Sequence, residues 1–335
     1  MLEVPRSPVF ETVPDHEQQE RQQITMQGLK HLLKTFTRRT RPPTADRPGL
    51  PPLTTPERIA MTVGCPDCAT IPKVEHAGEI ISLEDTPVQI MHNGIRVRAD
   101  GYCGEWMTAI IKGLKGHHEP QEEAVFHAIL PHCRAGHWMV ELGAWWAYYT
   151  NWYLRDVPDS RAICIEPDAV HRELTLANLR LNHQTADVVA GCVGSKEGTV
   201  ELFAETEQRS IAVPCFNAAA IDRLTNQQPI EILHLDVQGA ETDFLRSLHD
   251  FPDRTRLRFL FVSTHHALIS GSPTTHADCL SLLRELGAVI LTEHSIGESF
   301  SGDGLIVASF QKTDAEIPLP AISRNVPERS LFRTA

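Results

Sequence analysis

The sequence predicts an α/β fold in which seven strands form a doubly wound, mostly parallel sheet, closed by an antiparallel terminal hairpin and preceded by an N-terminal extension. Three observations predict it. Trp138 to Tyr149 reads as a buried strand, a tight turn at Gly143 and the start of a helix. From that unit to Phe310, short apolar runs alternate with amphipathic segments, the pattern of successive βα units. The last two apolar runs, Ala288 to Leu291 and Gly304 to Phe310, would complete the sheet as an antiparallel hairpin.

Residues 1–60 contain nine prolines, from Pro5 to Pro56, and read as an extended, partly disordered extension. Within it, Glu17 to Arg39 has a helical stripe of Met26, Leu29, Leu33 and Phe36 and a basic end at Lys34, Arg38, Arg39 and Arg41. Such a helix suits an anionic membrane surface. It suits equally well packing on its own domain or on a second subunit, a homodimer contact, because cations are favourable near a helix C-terminus.

Residues 61–118 form a cap. Cys65-Pro66-Asp67-Cys68 is a lone CxxC, short of the further ligands that tetrahedral zinc needs. The alternation Val88, Ile90, Ile95, Val97 around Asn93-Gly94 predicts a β-hairpin with a primed turn. Trp106 to Leu114 reads as a helix, and Gly116 to Pro120 breaks the chain before another, Gln121 to Leu130.

The catalytic domain is placed at 119–312 and a tail at 313–335. After the first strand and its helix, Ala162 to Ile165 is the second strand, ending at Glu166-Pro167. The helix Ala169 to Asn182 puts Val170, Leu174, Ala177 and Leu181 on one face, and Ala186 to Val193 is the third strand. Gly198 to Ala204 and Ile211 to Cys215 read as an inserted antiparallel pair. Ile230 to Leu235 and Leu257 to Val262 are the fourth and fifth strands, with helices near Ala240 and over Thr275 to Leu286. Seven strands with an antiparallel terminal pair make the class I methyltransferase variant of the Rossmann-like fold.

Composition narrows the function. The chain has 335 residues, 41% of them apolar, and a net charge of −12, which argues against a nucleic-acid binder that works by neutralising phosphates. No run approaches a membrane span, and the first residues lack the basic and apolar regions of a signal peptide. Eight scattered cysteines, among them Cys133, Cys164, Cys192 and Cys279, fit a reducing compartment and a cytoplasmic location.

Strand ends carry the candidate chemistry. A dinucleotide site needs three glycines, but after Gly143 the chain runs Ala144-Trp145-Trp146, which leaves no room for a diphosphate. S-adenosylmethionine (SAM) has no such group and is the expected cofactor. Glu166 follows Glu141 by 25 residues, where an acidic side chain accepts both ribose hydroxyls; a helix-start carboxylate is its bland alternative. A helix starting at Trp145 would offer free N–H groups to the SAM carboxylate, and Glu141 would bind the ammonium or brace the turn. Trp145 and Tyr149 line the pocket or join the core, and Pro167 and Val193 complete the cofactor side. Asp236, at the end of the fourth strand, suits a general base, a contact to the acceptor hydroxyl or a divalent ion, and otherwise a helix cap. Across the crevice, His265 and His266 point opposite ways, so one of them at most faces the site as a neutral proton acceptor. Asp303 reads as a hairpin-turn residue. His118 and Glu119 form an acceptor-side wall or cap a helix. No metal site is predicted, although a divalent ion is compatible with Asp236.

Taken together, Cys65-x-x-Cys68, Ile71-Pro72-Lys73-Val74, Met91-His92-Asn93-Gly94, Gly116 to Glu123, Glu141-Leu142-Gly143, Glu166-Pro167, Asp222 and Leu235 to Glu241 resemble the FkbM family of methyltransferases over about residues 57–312. The resemblance implies a SAM-dependent O-methyltransferase whose acceptors include glycan hydroxyls and natural products. It also implies that the CxxC belongs to a family-wide N-terminal extension and is not a private metal site. Trp145-Trp146 stands where relatives carry a smaller turn, and Gln238 where Glu is common. The alternatives from other classes are a nicotinamide oxidoreductase and a noncatalytic SAM- or glycan-binding protein.

Overall fold

Three buried, mostly apolar strands lie at the centre of the molecule: β4 (Trp138–Leu142), β10 (Ile230–Leu235) and β11 (Leu257–Thr264). Such strands are stable only when both sheet faces are covered. In the computed structural model, which describes residues 53–204 and 206–332, they pair in parallel, Leu142 beside Leu235 and Leu235 beside Val262. β5 (Arg161–Glu166) and β6 (Asp187–Ala190) extend the sheet on one side. β13 (Gly304–Ser309), antiparallel, and β12 (Val289–His294) extend it on the other.

The resulting order, β12-β13-β11-β10-β4-β5-β6, is the predicted doubly wound, class I methyltransferase arrangement. The order reverses between β4 and β10, which opens a crevice at their carboxyl ends. Alternate side chains feed two cores. Met139, Ile232, Phe259 and Phe261 pack with α3 (Pro120–Ile129) and α4 (Tyr148–Asp156). Val140, Ile163, Leu233 and Leu260 pack instead with α7 (Glu241–Ser247) and α9 (Thr275–Glu285).

The cap consists of α1 (Thr55–Val63), a three-stranded sheet and α2 (Glu105–Gly113). β1 (Ile80–Leu83) was not expected, because exposed Ile80 and polar neighbours hide its alternation. It joins β2 (Thr86–Ile90) through Glu84 and Asp85, both at positive φ, so the primed turn lies there. At Asn93-Gly94 the expectation is corrected: only Gly94 has positive φ, and the Asn93 side chain accepts the Ile95 N–H, giving a wider connection to β3 (Arg96–Arg98).

Three further expectations change. The third strand breaks at Gly191, where a Cβ would lie 2.5 Å from the Phe216 ring. Beyond it, Val193 sits in β7 (Cys192–Val193), which leaves the main sheet to pair with β9 (Arg209–Phe216), itself paired with β8 (Gly198–Ala204). The inward face of α5 (Ala169–Leu181) is polar: Thr175 and Asn178 are fully buried while Val170 is exposed. The tail from 313 onward folds back, with Asp314 on the Arg258 guanidinium and Ser323 on Asp67. The amphipathic segment at 17–39 lies outside the described residues. Among the described residues, no helix is long and apolar enough to cross a membrane.

Candidate active site

The turn after β4 has the backbone of a glycine-rich loop without its glycines. Gly143, Trp145 and Ala147 have φ of 81°, 41° and 55°. The left-handed region costs a residue with a Cβ roughly 1–2 kcal/mol, so the surroundings must impose it. They do so through buried hydrogen bonds. Thr175 donates to the Trp145 carbonyl at 2.9 Å, Asn178 to the Trp146 carbonyl at 2.9 Å, and Glu166 accepts the Trp145 N–H at 3.1 Å. These contacts delay the helix, which begins at Tyr148 and not at Trp145 as expected. Asn178 also accepts the Arg98 N–H, so it ties the turn to the cap. Asn178→Ala should therefore lower the unfolding free energy by about 1–3 kcal/mol, the cost of unsatisfied buried groups, measured by urea denaturation.

On the cofactor side, Glu166 at the tip of β5 is buried, and its carboxylate also accepts the Asp168 N–H at 2.9 Å. Two N–H donors leave lone pairs on both oxygens free for ribose hydroxyls. His171 stands 3.4 Å from Glu166 and stacks on Trp145 at 4.1 Å, walling that edge. The Arg172 guanidinium donates to the Glu166 and Pro167 carbonyls and holds the strand end. Ala144 is buried and donates its N–H to the Ile165 carbonyl. Glu141 turns inward: Thr150 donates its N–H at 3.1 Å and its hydroxyl at 2.5 Å, and burial pushes the carboxyl up to about 7. It braces α4 through one carboxylate oxygen. Val193, in the small sheet, leaves the cofactor-side strand as well.

On the acceptor side the structure brings together Asp236, His265, Glu119 and Tyr149, and adds Asp303 and Tyr102. His265 Nδ1 lies 2.6 Å from Glu241, and its Nε2 lies 3.1 Å from Asp236 and 3.8 Å from Asp303. Burial disfavours the imidazolium, yet Asp303, Asp236 and Glu241 together raise it well above the ordinary histidine range. The paired carboxylates favour the charged imidazole over the neutral form that was expected to accept a proton. Burial pushes Asp303 up to about 6, opposed by His265, so it is ionised at neutral pH and close to its titration point. His266 turns away, accepting the Leu268 N–H and stacking on Phe332 at 4.0 Å.

α3 roofs this cluster. Tyr149 donates to Glu119 at 3.2 Å, and His118 stands 3.3 Å from the same carboxylate. Burial opposes the His118 cation, but Glu119 and Glu123 push it up to about 10. His234 on β10 pairs with Glu122 at 2.6 Å, and that carboxylate raises it, against burial, to about 9. Tyr102 stacks on Trp146 at 4.4 Å and meets Trp145 edge-on at 5.1 Å, closing the aromatic wall. Tyr102 carried no sequence signal, because its contacts all come from distant segments. Asp303 was visible in Ser301-Gly302-Asp303-Gly304, a spacing that turns share.

A folded pKa raised above 6.5 means that the His234 cation stabilises the fold fully at low pH, and that this contribution is lost as pH rises through about 9. The His234 ring resonances should titrate near 9, and at lower pH in Glu122→Gln. A wild-type midpoint near 6.5 would show that the pair does not hold the charge.

No family model matches this chain, and no curated protein matches it. Among solved structures, a protein described as an rRNA-methylase from Clostridium thermocellum is similar over 56% of this chain and 94% of its own, at 10% identity and a TM-score of 0.41. A protein described as a SAM-dependent methyltransferase from Streptococcus mutans is similar over 66% and 55%, at 11% identity and a TM-score of 0.41. TrmK of M. capricolum, in complex with S-adenosyl-homocysteine, is similar over 57% and 73%, at 9% identity and a TM-score of 0.34. Likenesses this low say nothing about chemistry, and the fold rests on the strand order itself.

Proposed function

We propose that this chain is a SAM-dependent O-methyltransferase of the FkbM type, acting on a hydroxyl of a carbohydrate or natural product. The observation that carries the reading is the Asp236–His265–Asp303 cluster, set at the strand-end crevice whose other side is shaped by Gly143 and Glu166. The cofactor side fits the ribose, through the free lone pairs of Glu166. It does not offer Glu141 to the ammonium group, because Thr150 holds that carboxylate.

SAM supplies a methyl group on a positively charged sulfur. The chain's own residues do the rest. Glu119, Asp236 and Asp303 give the crevice negative charge that favours a cationic sulfonium and accepts hydrogen bonds from a polyhydroxylated acceptor. The same charge disfavours nucleic-acid phosphates. His265 holds one oxygen of the Asp236 carboxylate, which leaves the other to accept a hydrogen bond from the acceptor hydroxyl. Held at Glu166, SAM would supply the methyl group, and a carboxylate of this cluster would take the proton of the acceptor hydroxyl. Positioning supplies more of the rate than the base does.

Isothermal calorimetry with SAM, followed by a labelled-SAM screen of sugar and polyketide hydroxyls, tests the reading. Glu166→Ala should weaken SAM binding roughly tenfold or more, the loss expected when charge-assisted hydrogen bonds go. An unchanged dissociation constant would remove Glu166 from the site. Binding of NADH in place of SAM would favour an oxidoreductase, against which the side chains of Trp145 and Ala147 argue.

A further inference from the structure

Behind the roof of the crevice, segments far apart in sequence meet in a second polar cluster. Cys68 comes from the CxxC, His92 from the β2–β3 connection, and His117 and Glu123 from the entry to α3; their exposures are 2%, 2%, 0% and 0%. The His92 and His117 rings stack at 4.0 Å, and Glu123 lies 2.6 Å from His117 and 3.8 Å from His92. Lys73 donates to the Cys68 and Ile71 carbonyls and shapes the loop that presents the thiol. Ligand atoms of Cys68, His117 and Glu123 lie within 4.8 Å of one another, the one such trio among the described residues. A second observation points the same way: His117 Nε2 is buried and has no hydrogen-bond partner. Native proteins rarely leave such an atom unsatisfied in a polar cluster without an ion or water to meet it.

We propose that Cys68, His117 and Glu123 bind a divalent transition ion of the zinc type, with a water or a neighbouring side chain in the fourth position. The donor set decides the class: thiolate and imidazole suit zinc, whereas magnesium and calcium take oxygen ligands. Tetrahedral bonds of ordinary length put ligand atoms about 3.5 Å apart, so the 2.6 Å His117–Glu123 contact must open while Cys68, within 4.8 Å of both, swings in by side-chain rotation. Burial pushes the free Cys68 thiol well above its usual range, and the thiol donates to the Pro120 carbonyl. Loading would therefore break that hydrogen bond and the one between His117 and Glu123, form bonds from the ion to sulfur, nitrogen and oxygen, and release the thiol proton to solvent.

The ion would clamp the CxxC loop of the cap onto α3. It would also support the acceptor crevice, because the other Glu123 oxygen accepts the His118 N–H at 2.7 Å and faces the His118 ring at 2.6 Å, and His118 in turn meets Glu119. This site is independent of the methyl-transfer reading, since it shares no ligand with Asp236 or Glu166.

Full-length protein, stripped with a chelator and titrated anaerobically with cobalt(II), should take up one equivalent and show a thiolate-to-metal charge-transfer band. Cys68→Ser should abolish the band and weaken binding by roughly 100-fold or more, and Cys65→Ser, outside the trio, should keep both. Retention of the band in Cys68→Ser would overturn the assignment. The wild type needs no variant to fail: less than about a tenth of an equivalent of zinc retained against a chromophoric competitor, with no cobalt band, overturns it equally.

Discussion

Gly143→Ala should strongly destabilise the fold. An added Cβ would lie 1.8 Å from the Asp236 carbonyl oxygen and 2.8 Å from its carbon, and both are backbone atoms that no side-chain rotation can move. The ends of β4 and β10 are joined there by the Asp236 N–H on the Leu142 carbonyl at 2.9 Å, so relief means parting two central strands. The residue would also sit at φ 81°, which adds roughly 1–2 kcal/mol for any residue with a Cβ. Together we expect a loss of about 4 kcal/mol or more, at the extreme of single substitutions. Urea denaturation followed by circular dichroism would measure it, and a variant within about 1 kcal/mol of wild type would show that the turn yields easily.

Asp236→Asn should lower turnover by about 10²–10⁴-fold, the usual contribution of a positioned proton acceptor, while SAM affinity stays within about threefold. The amide keeps the size of the side chain, and Glu241 and Asp303 remain to hold His265. What is lost is the charge between the imidazolium and the acceptor. In the wild type, kcat/KM should fall as pH drops through about 6, because burial raises Asp303 to that value and protonation removes its charge. Histidine does not set this limb, since His265 stays protonated across it. A fully active Asp236→Asn enzyme would exclude Asp236 from the reaction, and a flat profile between pH 5 and 8 would do the same for Asp303.

The strands were legible because a parallel sheet covered on both faces favours short, mostly apolar runs, and β4, β10 and β11 are such runs despite Glu141, Glu231, His234 and Arg258. Glu166, Asp236 and His265 were legible for a related reason: a strand's end marks the crevice, whatever follows it. Thr175 and Asn178 were not, because buried polar residues on a helix look like surface residues until their partners, the carbonyls of the Trp145 turn, are in place. The delayed start of α4 has the same origin, since no local preference predicts left-handed Trp145 and Ala147.

Charge states and long-range clusters show the same limit. Sequence alone determined the sheet, its closing hairpin and the acidic positions at its edge, because these follow from periodicity and chain order. Only the tertiary structure made His265 a cation, turned Glu141 onto Thr150 and His266 onto Phe332, and set Asp303 in the crevice. It likewise joined Cys68 to His117 and Glu123. Electrostatics and hydrogen bonding act between atoms a few ångströms apart in space, and for most of these residues a deciding neighbour lies tens of positions away along the chain.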